Sequence, residues 1–421
     1  MLRGARIGPR DTPGIVGLLD IGTSKVVCTI AELGPTGDRG HTRPRVLGLG
    51  LQRSKGVKAG VITDLNEAEQ AVRAAVSQAE RHAGVTLEEV VISVSCGRLR
   101  SLHFTANTDV EGGVVRDGDI ARVMAGGRAY AERDGRMLIH MNRIGFRLDS
   151  SASVREPRGM AARKLTADLH GVTADEAPIR NLLLTVERCH LNVRGLAAAP
   201  YASALAVTSE EERRLGVTCI DIGGGTSTIA VFNEGRFLFA DSVPVGGNHV
   251  TFDIARALQT PLAQAERIKA LYGTLVGAQS DAHEVFSYPL AGEEDTLLQA
   301  TRAQLAAVMR PRVASLMALL KERLARGAAA HHTGERVVLT GGASQVVGIG
   351  EFAATALGWP VRVAWPAAEL GLPAEFSGPA FATVAGLLAA AATDGGETVA
   401  EPEVVARGYL GRVGQWLSQG F

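Results

Sequence analysis

"VTCIDIGGGTSTIAVF", residues 217–232, is the stretch on which the reading of the fold turns. An apolar run leads to one carboxylate, Asp221. Gly223, Gly224 and Gly225 follow, then the hydroxyls of Thr226, Ser227 and Thr228, then a second apolar run. "VGLLDIGTSKVVCTIAEL", residues 16–33, makes nearly the same statement around Asp20, Gly22, Thr23, Ser24 and Lys25. Both read as buried β-hairpins with a charge and bare backbone at the tip. Glycine lets backbone N–H groups come close to an anion, and such turns form phosphate-binding nests. Ser and Thr hydroxyls add donors. A carboxylate beside phosphates requires a shared cation. Mg²⁺ fits, because one or two carboxylates plus phosphate oxygens and water suffice to hold it. A third glycine turn, "TGGASQ" at residues 340–345, lies between an expected strand and an expected helix. Taken singly, each such turn reads more readily as a tight hairpin. Three of them, two duplicated around an aspartate, point to a nucleotide. No GxxxxGK[ST] occurs, which leaves a P-loop unsupported. "GIGEFA", residues 348–353, matches GxGxxA only weakly and reads as the start of a helix.

The bulk numbers suit this picture. At 421 residues, more than one domain is expected. Apolar residues make up 46% of the chain, ample for buried cores. Lys and Arg (44) balance Asp and Glu (44), so no global basic field exists to attract nucleic acid. Cys28, Cys96, Cys189 and Cys219 lie far apart in apolar stretches without metal-ligand spacing, and read as reduced core thiols of a cytosolic protein. The basic N-terminus has no apolar core of a signal peptide. "VAGLLAAAA", from Val384, is shorter than the ~20 residues needed to span a bilayer.

Strand-like and helix-like segments alternate, which argues an α/β fold. Residues 64–84 read as a helix capped by Asp64 and closed by Gly84, with Ala68, Val72, Ala75 and Val76 on one face. Short strands and Gly/Arg-rich joints before Lys164 read as an inserted subdomain. Thr260 and Pro261 read as N-cap and N1 of a helix stopped by Gly273. A long helix is expected over 297–326, with Pro311 as a break or kink. "SEEERR", residues 209–214, reads as a charged surface turn, and His331–His332 as a solvated loop without a second ligand pair.

The order DIGTSK, DIGGGTST, LTGGASQ resembles the phosphate-1, phosphate-2, adenosine signature of the actin-like ATPase superfamily. More closely, "VPVGGNHVTFDIARALQTPLAQAERIKALYG", "VREPRGMAARKLTADLHGVTAD", "SEEERRLGV" and "VVLTGGASQVVGIGEFA" resemble the FtsA family of bacterial division proteins. The resemblance implies an actin-like (ribonuclease H-like) two-lobed ATPase fold with an inserted SHS2-like subdomain. It implies a disordered N-terminus at 1–14 and a first lobe at 15–85 and 166–215, interrupted by the insert at 86–165. The second lobe would take 216–240 and 313–391, with an upper subdomain at 241–312. A linker at 392–407 and an amphipathic helix at 408–421 would follow. ATP and Mg²⁺ would be bound by Asp20, Gly22, Thr23, Ser24 and Lys25 in the first loop. The second loop would supply Asp221, Gly223, Gly224, Gly225, Thr226, Gly246 and Gly247. Glu266 and Lys269, on one helical face, would meet ribose or base, although by spacing alone they read equally as an ordinary exposed ion pair; Gly341, Gly342 and Ala343 would meet the adenosine. Asp20 and Asp221 would hold the metal, through water.

Related ATPases carry a water-positioning Glu or Gln before the second hairpin. Here "GLAAAPYASALAV" places Ala199 before Pro200 and contains no acid or amide. Strong ATP binding with slow or undetectable hydrolysis is therefore expected. On a helical wheel, Tyr409, Leu410, Val413, Trp416, Leu417 and Phe421 share an arc of roughly 140°. That face suits a helix lying in a membrane interface, weakened by four glycines and few cations; a helix docked on the chain's own surface is the alternative. By the resemblance, the partners are the C-terminal peptide of FtsZ at Arg302, further copies in a head-to-tail polymer, later division proteins of the membrane, and the inner face of the cytoplasmic membrane at the division site. An actin-fold kinase or chaperone-like ATPase, or a pilus-type actin-like scaffold, remains the rival reading.

Overall fold

The computed structural model describes residues 14–34, 44–149, 153–328, 336–392 and 397–399. Tyr409, Leu410, Val413, Trp416, Leu417 and Phe421 lie outside these residues, as do the N-terminus before Gly14 and His331–His332.

The chain begins with β1 (Gly14–Ile21), β2 (Lys25–Leu33) and β3 (Pro44–Arg53), followed by the short pair β4 (Val57–Lys58) and β5 (Val61–Ile62). Helix α1 (Leu65–Ala83) starts where the Asp64 carboxylate accepts from the amides of Asn66 and Glu67, at 2.9 and 3.0 Å. It ends at Gly84 in the left-handed region. Strand β6 (Glu89–Val94) then pairs parallel with β1. After it come β7 (Arg100–Asp109), α2 (Asp117–Ala131), β8 (Arg136–Leu148), β9 (Ser153–Val154) and β10 (Lys164–Asp175), then α3 (Glu176–Glu187), β11 (Asn192–Ala198), α4 (Ala199–Val207) and α5 (Glu210–Leu215).

The second half starts with β12 (Val217–Ile222), β13 (Ser227–Asn233) and β14 (Arg236–Val243), then α6 (Gly247–Leu258) and α7 (Leu262–Tyr272). It continues with β15 (Val285–Leu290), β16 (Glu293–Thr301), α8 (Arg302–Ala328), β17 (Val337–Thr340), α9 (Ile349–Leu357), β18 (Val361–Val363), α10 (Ala382–Ala392) and β19 (Glu397–Val399).

The duplication seen in the sequence recurs in the topology. The first sheet has the order β11-β6-β1-β2-β3, and the second contains β18-β17-β12-β13-β14. In each, a hairpin extends into a third antiparallel strand, and two parallel strands flank the other side of its first strand. Helices α4 and α10 follow the outermost parallel strands of the two sheets. They meet where Gly386 faces the carbonyl of Ala202; a Cβ there would sit 1.6 Å from that oxygen. One apolar core surrounds Leu19, Ile92 and Leu196 in the first lobe and continues across the junction to Val217, Phe232 and Val338; another surrounds Ile220, Met317 and Leu339 in the second.

Several expectations need correction. The insert cannot begin at 86, because β6 sits inside the first sheet; its strands run from Arg100 to Asp175 around a core of Phe146, Leu165 and Leu169. Residues 297–301 belong to β16 rather than to the long helix, which starts at Arg302 and runs through Pro311. Thr260 does not cap α7: its hydroxyl donates to the carbonyl of Pro289 at 2.8 Å. The stretch "SEEERR" is not a turn; a capping box between Ser209 and Glu212 starts the helix α5. The expected linker is interrupted by β19, paired antiparallel with β8.

The insert also joins the second sheet, where β14 meets β7. Only Asp241 and Arg100 pair there by backbone. The rest of the seam is side chain against backbone. The Ser101 hydroxyl accepts from the Ala240 amide (2.7 Å) and bonds its carbonyl (3.1 Å), His103 Nε2 meets the carbonyl of Leu238 (2.7 Å), and from β8 Asn142 Nδ2 donates to that of Phe237 (2.8 Å).

Candidate nucleotide site

The two hairpin tips face each other across the gap between the lobes. Their turns close identically: Gly22 N–H donates to the Lys25 carbonyl and Gly223 N–H to that of Thr226, both at 2.9 Å. Gly22, Gly223, Gly224 and Gly225 have ordinary negative φ, so close approach rather than backbone freedom requires glycine here. A Cβ on Gly224 would lie 2.0 Å from Ser24 Oγ, and one on Gly225 2.5 Å from Thr23 Oγ1. The jaws touch through these glycines. Thr23 is fixed from behind, its hydroxyl accepting from Gly60 N–H at 2.9 Å.

Around them opens a cleft of about 530 Å³. Its walls include Asp20, Gly22, Thr23, Ser24 and Lys25 from one lobe. The other contributes Asp221, Gly223, Gly224, Gly225, Thr226, Gly247, Glu266, Lys269, Gly341, Gly342 and Ala343. Gly246 is the exception among the sequence candidates. It backs the second loop, where a Cβ would meet the carbonyl oxygens of Gly223 and Gly224 at 2.5 and 2.7 Å. Gly341 is held at φ +90°, with the position of its missing Cβ 2.2 Å from Asp221 Oδ1. Only glycine meets both conditions.

Asp20 and Asp221 are the penultimate residues of β1 and β12. Protein encloses both carboxylates except toward the cleft. Burial pushes both pKa values up; Ser93 and Ser203, donating at 2.5 and 2.6 Å, offset part of it. The charge of Asp20 raises Asp221 further. Thr383, at the start of α10, adds a bond to Asp221 Oδ2 at 3.3 Å. The buried Thr228 hydroxyl, opposite Asp221 in the ladder, finds no protein partner and lines the cleft. Two enclosed carboxylates that repel and an orphaned hydroxyl beside them fit a hydrated divalent cation. Among the described residues no group of three or more His, Cys, Asp or Glu could hold a metal without further ligands. A cation here would need phosphate oxygens to complete its shell.

Deeper on the second side, Lys269 is buried. Its Nζ donates to Glu266 Oε2 (2.7 Å), Thr251 Oγ1 (2.8 Å) and the Gly247 carbonyl (3.2 Å). The pair is thus tied to the N-terminus of α6, whose Gly247 and Asn248 amides donate to the carbonyls of Gly223 and Gly224. Ala199 lines the cleft from the start of α4 with only a methyl group. Arg302 lies elsewhere, bonded to Glu284 at 3.0 Å, to the Tyr272 carbonyl at 3.2 Å, and 3.6 Å from Asp281.

Sequence reasoning missed Ser93, Ser203 and Thr383, which orient the aspartates. The available signal was a lone hydroxyl inside otherwise apolar segments, at the end of β6 and within α4.

Two equivalent sheets, crossed by α4 and α10 and carrying matched aspartate turns, define a protein of the actin-like ATPase class. The solved PilM–PilN type IV pilus biogenesis complex shares this fold, with a TM-score of 0.61 at 17% identity over 91% of this chain and 99% of that one. The family model "Cell division protein FtsA" matches residues 218–386, and "SHS2 domain inserted in FTSA" matches 96–173. The cell division protein FtsA of Rhizobium meliloti (strain 1021) is 39% identical over 98% of this chain and 96% of its own length. Those of Pseudomonas aeruginosa (34%; 89% and 88%) and Escherichia coli K12 (31%; 98% and 99%) follow. The chain belongs to the FtsA family and is an actin-like cell-division protein.

Proposed function

We propose that the chain binds Mg²⁺·ATP in the interlobe cleft, polymerises head to tail, and tethers FtsZ to the inner face of the cytoplasmic membrane at the division site. The convergence of Asp20, Asp221 and the three glycine turns on one cleft carries the nucleotide part. Asp20 and Asp221 would hold the cation through water, with Thr228 as a further contact; the cation would neutralise phosphate charge. The Glu266–Lys269 pair would face the ribose or base, and Gly341, Gly342 and Ala343 the adenosine. Hydrolysis is slow or undetectable in this reading, because α4 offers Ala199 where a water-positioning acid or amide would stand. The membrane part rests on the apolar face of residues 409–421, with many weak tails acting together in a polymer. Later division proteins would bind the insert. The lobes divide as first lobe, insert, second lobe and upper subdomain, with the insert starting after β6.

For FtsZ, Arg302 is the candidate contact, and an acidic peptide would have to compete with Glu284 and Asp281 for it. Two measurements test the proposal. Calorimetric titration should show ATP binding that requires Mg²⁺ and is lost in Asp20→Ala; brisk turnover abolished by that substitution would overturn the slow-hydrolysis reading. A pull-down with the C-terminal peptide of FtsZ should retain the chain and weaken in Arg302→Ala. No retention would favour a scaffold that acts without FtsZ.

A further inference from the structure

We propose that the free edge of β8 holds the chain's own segment Glu397–Val399 as a displaceable strand, a latch that sets how far the C-terminal residues reach from the body. Strand β8 pairs with β10 along its length on one side. On the other, β9 covers only Phe146 and Arg147. An open row of backbone donors and acceptors is a template for strand addition. β19 occupies it, with Glu397 opposite Asn142, Thr398 opposite Met141 and Val399 opposite His140. β19 also approaches β11, the edge strand of the first sheet. The segment therefore sits where the open edges of two sheets come together, one from the insert and one from the first lobe.

Two features make it a latch rather than a fixed strand. Only three residues pair, too few for a stable strand by themselves. The segment is also delivered locally, since residues 393–396 connect it to the end of α10, and so short a tether keeps its effective concentration high. Seated, the latch leaves residues 400–407, at most ~29 Å of extended chain, between β8 and the start of the tail. Released, residues 393–407 allow ~54 Å from α10. What the tail does at its far end rests on the membrane reading above; the latch itself does not.

Hydrogen exchange on the full chain, without lipid or nucleotide, tests it. Neighbouring residues of an antiparallel strand point their N–H groups to opposite sides, so Thr398→Pro and Val399→Pro between them must remove a donor to β8. At least one should speed amide exchange at His140–Asn142 roughly tenfold, while β1 and β12 stay as in the wild type. In the same variant, spin labels at Ser153→Cys and Ser418→Cys should show a longer and broader distance distribution. Unchanged exchange in both variants, or a distance distribution that does not lengthen, overturns the proposal.

Discussion

Replacing Gly386 by alanine puts the two repeats' helices in direct conflict. In an exposed helix this change stabilises by up to ~1 kcal/mol, because glycine is the poorer helix former. Here the added Cβ would sit 1.6 Å from the Ala202 carbonyl oxygen and 2.1 Å from its carbon, both backbone atoms. Neither can rotate away, so α10 and α4 must separate by roughly 1.5–2 Å to restore ordinary contact. Leu387, Leu388 and Ala391 are fully buried and lose packing as α10 lifts. Overpacking of this kind costs about 1–3 kcal/mol, enough to outweigh the propensity gain. The Thr383 bond to Asp221 is already 3.3 Å and would break, so the proposed Mg²⁺·ATP binding should weaken as well. Differential scanning calorimetry would show a midpoint lowered by several degrees, and titration a weaker nucleotide. Since the local propensity effect has the opposite sign, a midpoint equal to or above the wild type would refute the argument.

Asp20→Asn should stabilise the nucleotide-free protein at pH 7 while removing the Mg²⁺-dependent stabilisation by ATP that the proposed function requires. Burial raises the folded pKa of Asp20, so its contribution to stability is present at low pH and lost as pH rises from the ordinary 3.8 through the raised value. Asparagine removes that loss, and a melting point that does not rise in the variant would count against it. His140 is buried against Tyr201 and Phe237, and its pKa is pushed down to about 3. The unfolded chain takes up this proton below pH 6.5 and the folded one does not, so stability present above pH 6.5 falls as pH drops toward 3. His140→Phe should flatten the profile by about 3 kcal/mol between pH 6.5 and 4, at ~1.4 kcal/mol per unit. Parallel stability profiles for variant and wild type would refute this.

The lining of the interlobe cleft was largely legible from sequence because its parts are contiguous. Each hairpin carries its aspartate, glycines and hydroxyls within a dozen positions, and β-hairpins fold locally. The roles of Ser203 and Thr383 were not legible: a lone hydroxyl marks each apolar helix, but they approach Asp221 only when α4 and α10 cross, and helical periodicity says nothing of what a hydroxyl will meet. At Gly224 and Gly225 the sequence suggested room for phosphate, and the structure adds a second demand, room for the opposite jaw. Boundaries failed where texture and pairing diverge. β6 looks like the start of the insert but is claimed by β1, and 297–301 carries the apolar residues of a helix yet completes the β15–β16 hairpin. β19 was illegible because its few residues lack periodicity and their pairing is supplied by the edge of β8.

The seam between β7 and β14 changes the mechanics of the molecule. The insert grows from the first lobe, between β6 and α3, yet shares a sheet with the second. The lobes are therefore joined at a further place besides α4, α10 and the touching jaws. A door on one hinge can swing; a frame with a cross-member can only shear or rack. Rotation that opens the cleft must stretch the bonds of Ser101, His103 and Asn142 to β14, and a load applied to the insert is carried through that row to the strands behind Asp221.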